Sequence, residues 1–136
     1  EKLEKIMKQC FTELEGSKGH WTALTKDGFQ FYCVTDTYND RMRFMIPILR
    51  TPNCPKEFLT KLLDSNFHLA LDVKYAINNN LLWSLFMHPL TSLSEELAFD
   101  SIKQVINLAL NTGTTYQSSS LVYCGSENKD ESSFSG

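Results

Sequence analysis

The chain opens with a helical rhythm. Leu3, Ile6, Met7, Cys10, Phe11 and Leu14 recur at spacings of three and four, with Glu and Lys between them; that is the pattern of a helix burying one face. Gly16 and Gly19 follow and predict its stop. The hydrophobic period then shortens to two. Residues 20–25 form a short mixed run, Asp27-Gly28 marks a turn, and residues 29–36 are rich in aromatic and β-branched side chains. Beyond Tyr38-Asn39-Asp40 the chain alternates again, with Met42, Phe44, Ile46 and Ile48 set against Arg41, Arg43, Met45 and Pro47. Three strands with short links predict an antiparallel meander. Pro47 has no N–H to give a ladder, so it is expected at an edge or a strand end.

Thr51-Pro52-Asn53-Cys54-Pro55 breaks the sheet, and Pro55 suits the first position of a second helix. Phe58, Leu59, Leu62 and Leu63 supply its apolar face, which ends near Asn66. Leu71, Val73, Tyr75 and Ile77 then alternate with Asp72, Lys74 and Ala76; Asn78-Asn79-Asn80 turns the chain and residues 81–88 return it. Ser92 and Glu95 have capping-box spacing, with Ser92 as N-cap. The third helix carries Leu97, Ala98, Ile102, Val105, Ile106 and Ala109 inward and stops at Gly113. From Thr114 onward Ser, Gly, Asn and Glu dominate, with Leu121-Val122-Tyr123 as the one apolar cluster. The expected organisation is an α+β domain over residues 1–113 and a flexible, Ser-rich C-terminal tail over 114–136. The order α-βββ-α-ββ-α predicts a five-stranded, largely antiparallel sheet flanked by helices.

Composition narrows the function classes. A chain of 136 residues suits one domain with its own core. A net charge of −3, a pI near 5.6 and the absence of a Lys/Arg run argue against nucleic acid and anionic membrane surfaces. No stretch approaches the roughly 20 apolar residues of a membrane span, and Glu1-Lys2-Leu3-Glu4-Lys5 has no signal-peptide character. Cys10, Cys33, Cys54 and Cys124 lie far apart without a C-x-x-C pair, which favours reduced thiols over zinc or a disulfide framework. A cytoplasmic location is expected.

Chemistry-bearing patterns are few. His20, His68 and His88 stand at unrelated points and read as structural or solvated. There is no nucleophile elbow and no phosphate-binding glycine loop. Glu95 and Glu96 open a helix, where they favour its dipole. No catalytic, cofactor or metal residue is expected, and the protein is not expected to be an enzyme. What remains is an aromatic and Met-rich sheet, including Trp83, Phe86, Phe31, Tyr32, Tyr75 and Met45. A sheet with helices on one side exposes its other face, and such residues there suit protein contacts. Phe29, Phe31, Cys33, Phe44, Ile46, Trp83 and Leu85, at alternate strand positions, are the candidate contacts for an extended client polypeptide. The alternative expectation is a regulatory or sensory module with a small ligand in a cleft between sheet and helices.

Three local phrases sharpen the reading. They are Arg43-Phe44-Met45-Ile46-Pro47, then Leu63-Asp64-Ser65-Asn66-Phe67-His68-Leu69-Ala70-Leu71, then His88-Pro89-Leu90 running into Leu93-Ser94-Glu95-Glu96-Leu97. With the order of elements, they resemble the type III secretion chaperone-like superfamily, in particular its YbjN-like branch, over residues 3–112. The resemblance implies a bacterial α+β domain, often a homodimer, that binds a peptide or protein client without ATP. It brings no catalytic residues.

Overall fold

The structure, a computed structural model, describes residues 2–68 and 71–115. Helix α1 (Lys2–Cys10) buries Leu3, Ile6 and Met7. It ends sooner than its periodicity predicts. Phe11 stays in the core, its N–H donating to the Met7 carbonyl, but Leu14 already belongs to strand β1 (Leu14–Ser17). Strand β2 (His20–Leu24) pairs back on it, with Leu14 opposite Ala23 and Ser17 opposite His20. The glycines expected to stop a helix therefore serve a hairpin. Gly16 has φ +114°, and a Cβ there would come 2.2 Å from the His20 carbonyl oxygen. Leu14-Glu15-Gly16-Ser17 carries no apolar alternation, so only backbone pairing identifies it as a strand. The sheet consequently has six strands rather than five.

The rest follows the expected order: β3 (Gln30–Asp36), β4 (Arg41–Arg50), α2 (Lys56–His68), β5 (Lys74–Asn78), β6 (Leu81–Pro89) and α3 (Glu95–Thr115). The spatial order is β1-β2-β3-β4-β6-β5, with every neighbouring pair antiparallel. The β5–β6 hairpin turns at Asn79 and Asn80, with φ of 54° and 63°; two successive left-handed residues give the turn whose twist suits a hairpin. Pro47 sits neither on an edge strand nor at a strand end. It lies within β4, beyond the last residue paired to β3 and at a register shift between Pro47 and Leu49 against β6. A bulge is the other place where a missing N–H is tolerated.

One face of the sheet makes the core. Trp21 and Ala23, Phe31 and Cys33, Met42, Phe44 and Ile46, and Leu82 and Phe86 all point to it and are buried. Helix α3 lies against β4 and β6, α1 beside α3, and α2 beside β5, and all three add side chains to the same cluster. Buried hydroxyls are paired: Ser84 Oγ donates to the Val105 carbonyl at 2.9 Å, and Tyr75 Oη meets Thr112 Oγ1 at 3.1 Å. The N-cap of α3 is Ser94 rather than Ser92; its Oγ accepts the Leu97 N–H at 3.0 Å. Gly113 does not stop the helix, which continues to Thr115. The expected tail lies, from residue 116 on, outside the described residues.

Candidate protein-interaction face

The opposite face of the sheet presents the other half of each alternation. Register places Tyr32 beside Met45, Met45 beside Leu85, and Leu85 beside Lys74. On one side of this row Val34, Arg43 and Met87 are neighbours; on the other, Pro47, Trp83 and Ala76. Tyr32, Val34, Met45, Pro47, Trp83 and Leu85 are half-buried by one another, and Met87 is 46% exposed. The result is a continuous apolar area over four strands, bordered by His20, Arg41, Arg43 and Lys74.

Its aromatic side chains are held in place. The Tyr32 and Trp83 rings meet edge-on with centroids 6.0 Å apart, and His20 stacks over Tyr32 at 6.4 Å. Trp83 Nε1 donates to the Asn78 carbonyl at 3.2 Å, which orients the indole. Rigid aromatic surface loses little side-chain entropy on binding, so it suits contact with another polypeptide. At the end of the face, Asp36 accepts from the Asn39 side chain at 2.8 Å, and that bond above all holds its carboxyl below the usual carboxylate range.

The seven candidate contacts divide between the two faces. Trp83 and Leu85 stand on the open one. Phe31, Cys33, Phe44 and Ile46 have no exposed surface and belong to the helix-covered core, out of reach of a client. Phe29 precedes β3, is half-buried against the core, and donates its N–H to Thr25 Oγ1 at 3.0 Å. Cross-strand register separates the sets: Leu85 and Trp83 lie opposite Met45 and Pro47, while Phe44 lies opposite Phe86. The open-face partners of Trp83 are thus Tyr32, Val34, Met45, Pro47 and Met87. Composition drew attention to Tyr32 and Met45, but nothing in the alternation ties them to Trp83.

Other apolar surface gathers on α2 and just beyond its end. Leu63, Phe67 and Leu71 are 67%, 83% and 73% exposed, so Leu63 does not share the buried face of Phe58 and Leu62. The first helix docks on its own core.

Among the described residues no three His, Cys, Asp or Glu side chains are placed to hold a metal ion. His68 lies 3.7 Å from Asp64 on the exposed side of α2, and His88 Nδ1 meets the Pro89 carbonyl oxygen at 2.8 Å. Cys10 and Cys33 are free thiols, and burial pushes Cys33 up to about 12. No described helix is long and apolar enough to cross a membrane.

No family model matches the chain, and no curated protein does. Solved structures do. The ExsC–ExsE complex aligns with a TM-score of 0.61 at 11% identity, over 78% of this chain and 83% of the matched one. The HopA1–SchA chaperone–effector complex gives 0.61 at 11%, over 80% and 88%. The Yersinia pestis type III secretion chaperone SycH, solved with a stable fragment of YscM2, gives 0.61 at 12%, over 82% and 96%. An antiparallel sheet with helices gathered on one face, in this order, is the fold of the type III secretion chaperones.

Proposed function

We propose that this protein is a non-enzymatic chaperone-like module that binds a protein or peptide client on the open face of its sheet. The observation that carries the reading is the continuous apolar area of Tyr32, Val34, Met45, Pro47, Trp83, Leu85 and Met87, which the helices leave uncovered. Apolar strand positions of a client lie against these side chains, and Arg43 and Lys74 at the border steer an acidic flank. Binding draws on burial and complementarity alone, so ATP is not required. The similar structures support the reading, since they are complexes of chaperones with effectors or partner fragments.

Finer assignments rest on the same reading. The sequence phrases favour the YbjN-like branch of the superfamily, and with it a bacterial, cytoplasmic setting. Leu63 and Phe67, one turn apart on α2 and both exposed, are the surface through which two copies form a homodimer.

The test is affinity capture from a native lysate with the wild-type protein and with Tyr32→Ala and Trp83→Ala variants that remain folded. A stoichiometric partner lost from both variants is the expected result. A partner retained equally by both, or none with the wild type, rejects client binding on this face.

A further inference from the structure

The cations of the open face are not equivalent. Arg41 donates to the carbonyls of Asn39 and Asp40, at 3.5 and 3.0 Å, and Lys74 to those of Asn66 and Leu71, each at 3.0 Å. Arg43 is exposed, and among the described residues its guanidinium has no hydrogen-bond or ion-pair partner. Two carboxylates share the face without serving it. Asp36 lies diagonally across β3 and accepts from the Asn39 side chain and backbone N–H, at 2.8 and 3.3 Å. Glu15 stands three strands away on β1.

Register orders the same face in rows. Pro47 and Trp83 make one; Tyr32, Met45 and Leu85 make the next; Arg43 holds the third, between Val34 and Met87. Successive rows are two residues apart along β4, about 6.8 Å. An extended polypeptide repeats its side chains at that same interval, so alternate residues of a segment laid along β4 fall one on each row. A helix advances about 5.4 Å per turn and is out of step by the third row.

We propose that the open face takes an extended segment of the form apolar-x-apolar-x-acid, read in either chain direction, with its two apolar side chains on the Trp83 and Met45 rows and its carboxylate on Arg43. This rests on the client reading of the face and adds the client's charge and spacing. The planar guanidinium pairs a carboxylate through two parallel hydrogen bonds. A neutral residue at that position leaves Arg43 covered by the client without a charged partner, which costs affinity. An acid one residue nearer along the client points away from the sheet, so spacing is selected as well as charge.

The experiment titrates the full chain into fluorescein-labelled peptides and follows anisotropy. The peptide cores are Leu-Ser-Phe-Ser-Glu and its reverse, Glu-Ser-Phe-Ser-Leu, each between Gly-Ser flanks. Gln in place of Glu gives the neutral counterparts, and moving the acid one position inward gives the shifted ones. In at least one direction the Glu peptide should saturate, with its neutral and shifted counterparts roughly fivefold weaker or worse. Arg43→Gln, with an unchanged melting temperature, should bind the Glu and Gln peptides equally, and Arg43→Glu should prefer Lys at that position. Equal binding of the Glu and Gln peptides to the wild-type protein overturns acid recognition; the client reading survives that result if Trp83→Ala still abolishes binding. Equal binding of the shifted peptide overturns the spacing. If no peptide saturates at millimolar concentration the proposal is overturned, while the client reading is judged by the capture experiment.

Discussion

Asn66, near the end of α2, occupies the place of a missing neighbour strand beside Tyr75. Its Oδ1 accepts the Tyr75 N–H at 2.7 Å, and its Nδ2 donates to the Tyr75 carbonyl at 3.1 Å. Lys74 Nζ reinforces the joint by donating to the carbonyls of Asn66 and Leu71, each at 3.0 Å. β5 is an edge strand, and an edge with unpaired backbone groups invites another chain. One side chain thus covers both outward groups of Tyr75 and ties the helix to the sheet.

Asn66→Ala removes two hydrogen bonds and uncovers those groups. The expected loss is about 1–3 kcal/mol, read from urea unfolding, with a concentration-dependent shift toward larger species in size-exclusion chromatography. Unchanged stability would mean that the pair contributes nothing to the fold.

The two sheet faces should respond differently to truncation. Phe44 is fully buried, so Phe44→Ala should destabilise by roughly 3–5 kcal/mol. Trp83 is half-buried on the open face, and Trp83→Ala should cost about 1 kcal/mol while abolishing client capture. Unfolding curves and capture on the same preparations separate the two roles.

Gly16 and Gly28 both have positive φ, but only Gly16 is crowded. A Cβ at Gly28, φ +93°, meets nothing within 4 Å, while one at Gly16 would strike the His20 carbonyl. Gly28→Ala should therefore cost about 1–2 kcal/mol from conformation alone. Gly16→Ala should cost more and disturb the β1–β2 pairing, visible as faster amide hydrogen exchange in residues 14–24.

Cys33 sets an alkaline limit. Its thiol is pushed by burial from 9.0 to about 12, so the unfolded chain loses this proton before the folded one does. Stability is retained below pH 9 and falls as the pH rises toward 12, by about 1.4 kcal/mol per unit for this group. Cys33→Ala should show a shallower decline in denaturation measured from pH 8 to 11. In the native protein, iodoacetamide should label Cys10 and leave Cys33 unmodified.

Local patterning determined most of the elements. The 3.6-residue period of Leu3, Ile6 and Met7, the alternation through Met42, Phe44 and Ile46, and the Asn79–Asn80 turn each rest on side chains a few residues apart. Strand β1 escaped because Leu14-Glu15-Gly16-Ser17 has no such signal; its partner, β2, supplies the hydrogen bonds that define it. The Ser94 cap and the bulge at Pro47 likewise depend on where backbone groups meet in three dimensions. The candidate site was legible only in part, for a related reason. In β3 and β4 both sets of alternating residues are apolar, Phe31, Cys33 and Phe44 on one side, Tyr32, Val34 and Met45 on the other. Alternation says that the two sets face apart, but not which one the helices cover. That choice belongs to the tertiary structure, because α3 packs against β4 and β6 on the Phe44 side and cross-strand register carries the decision to every other strand.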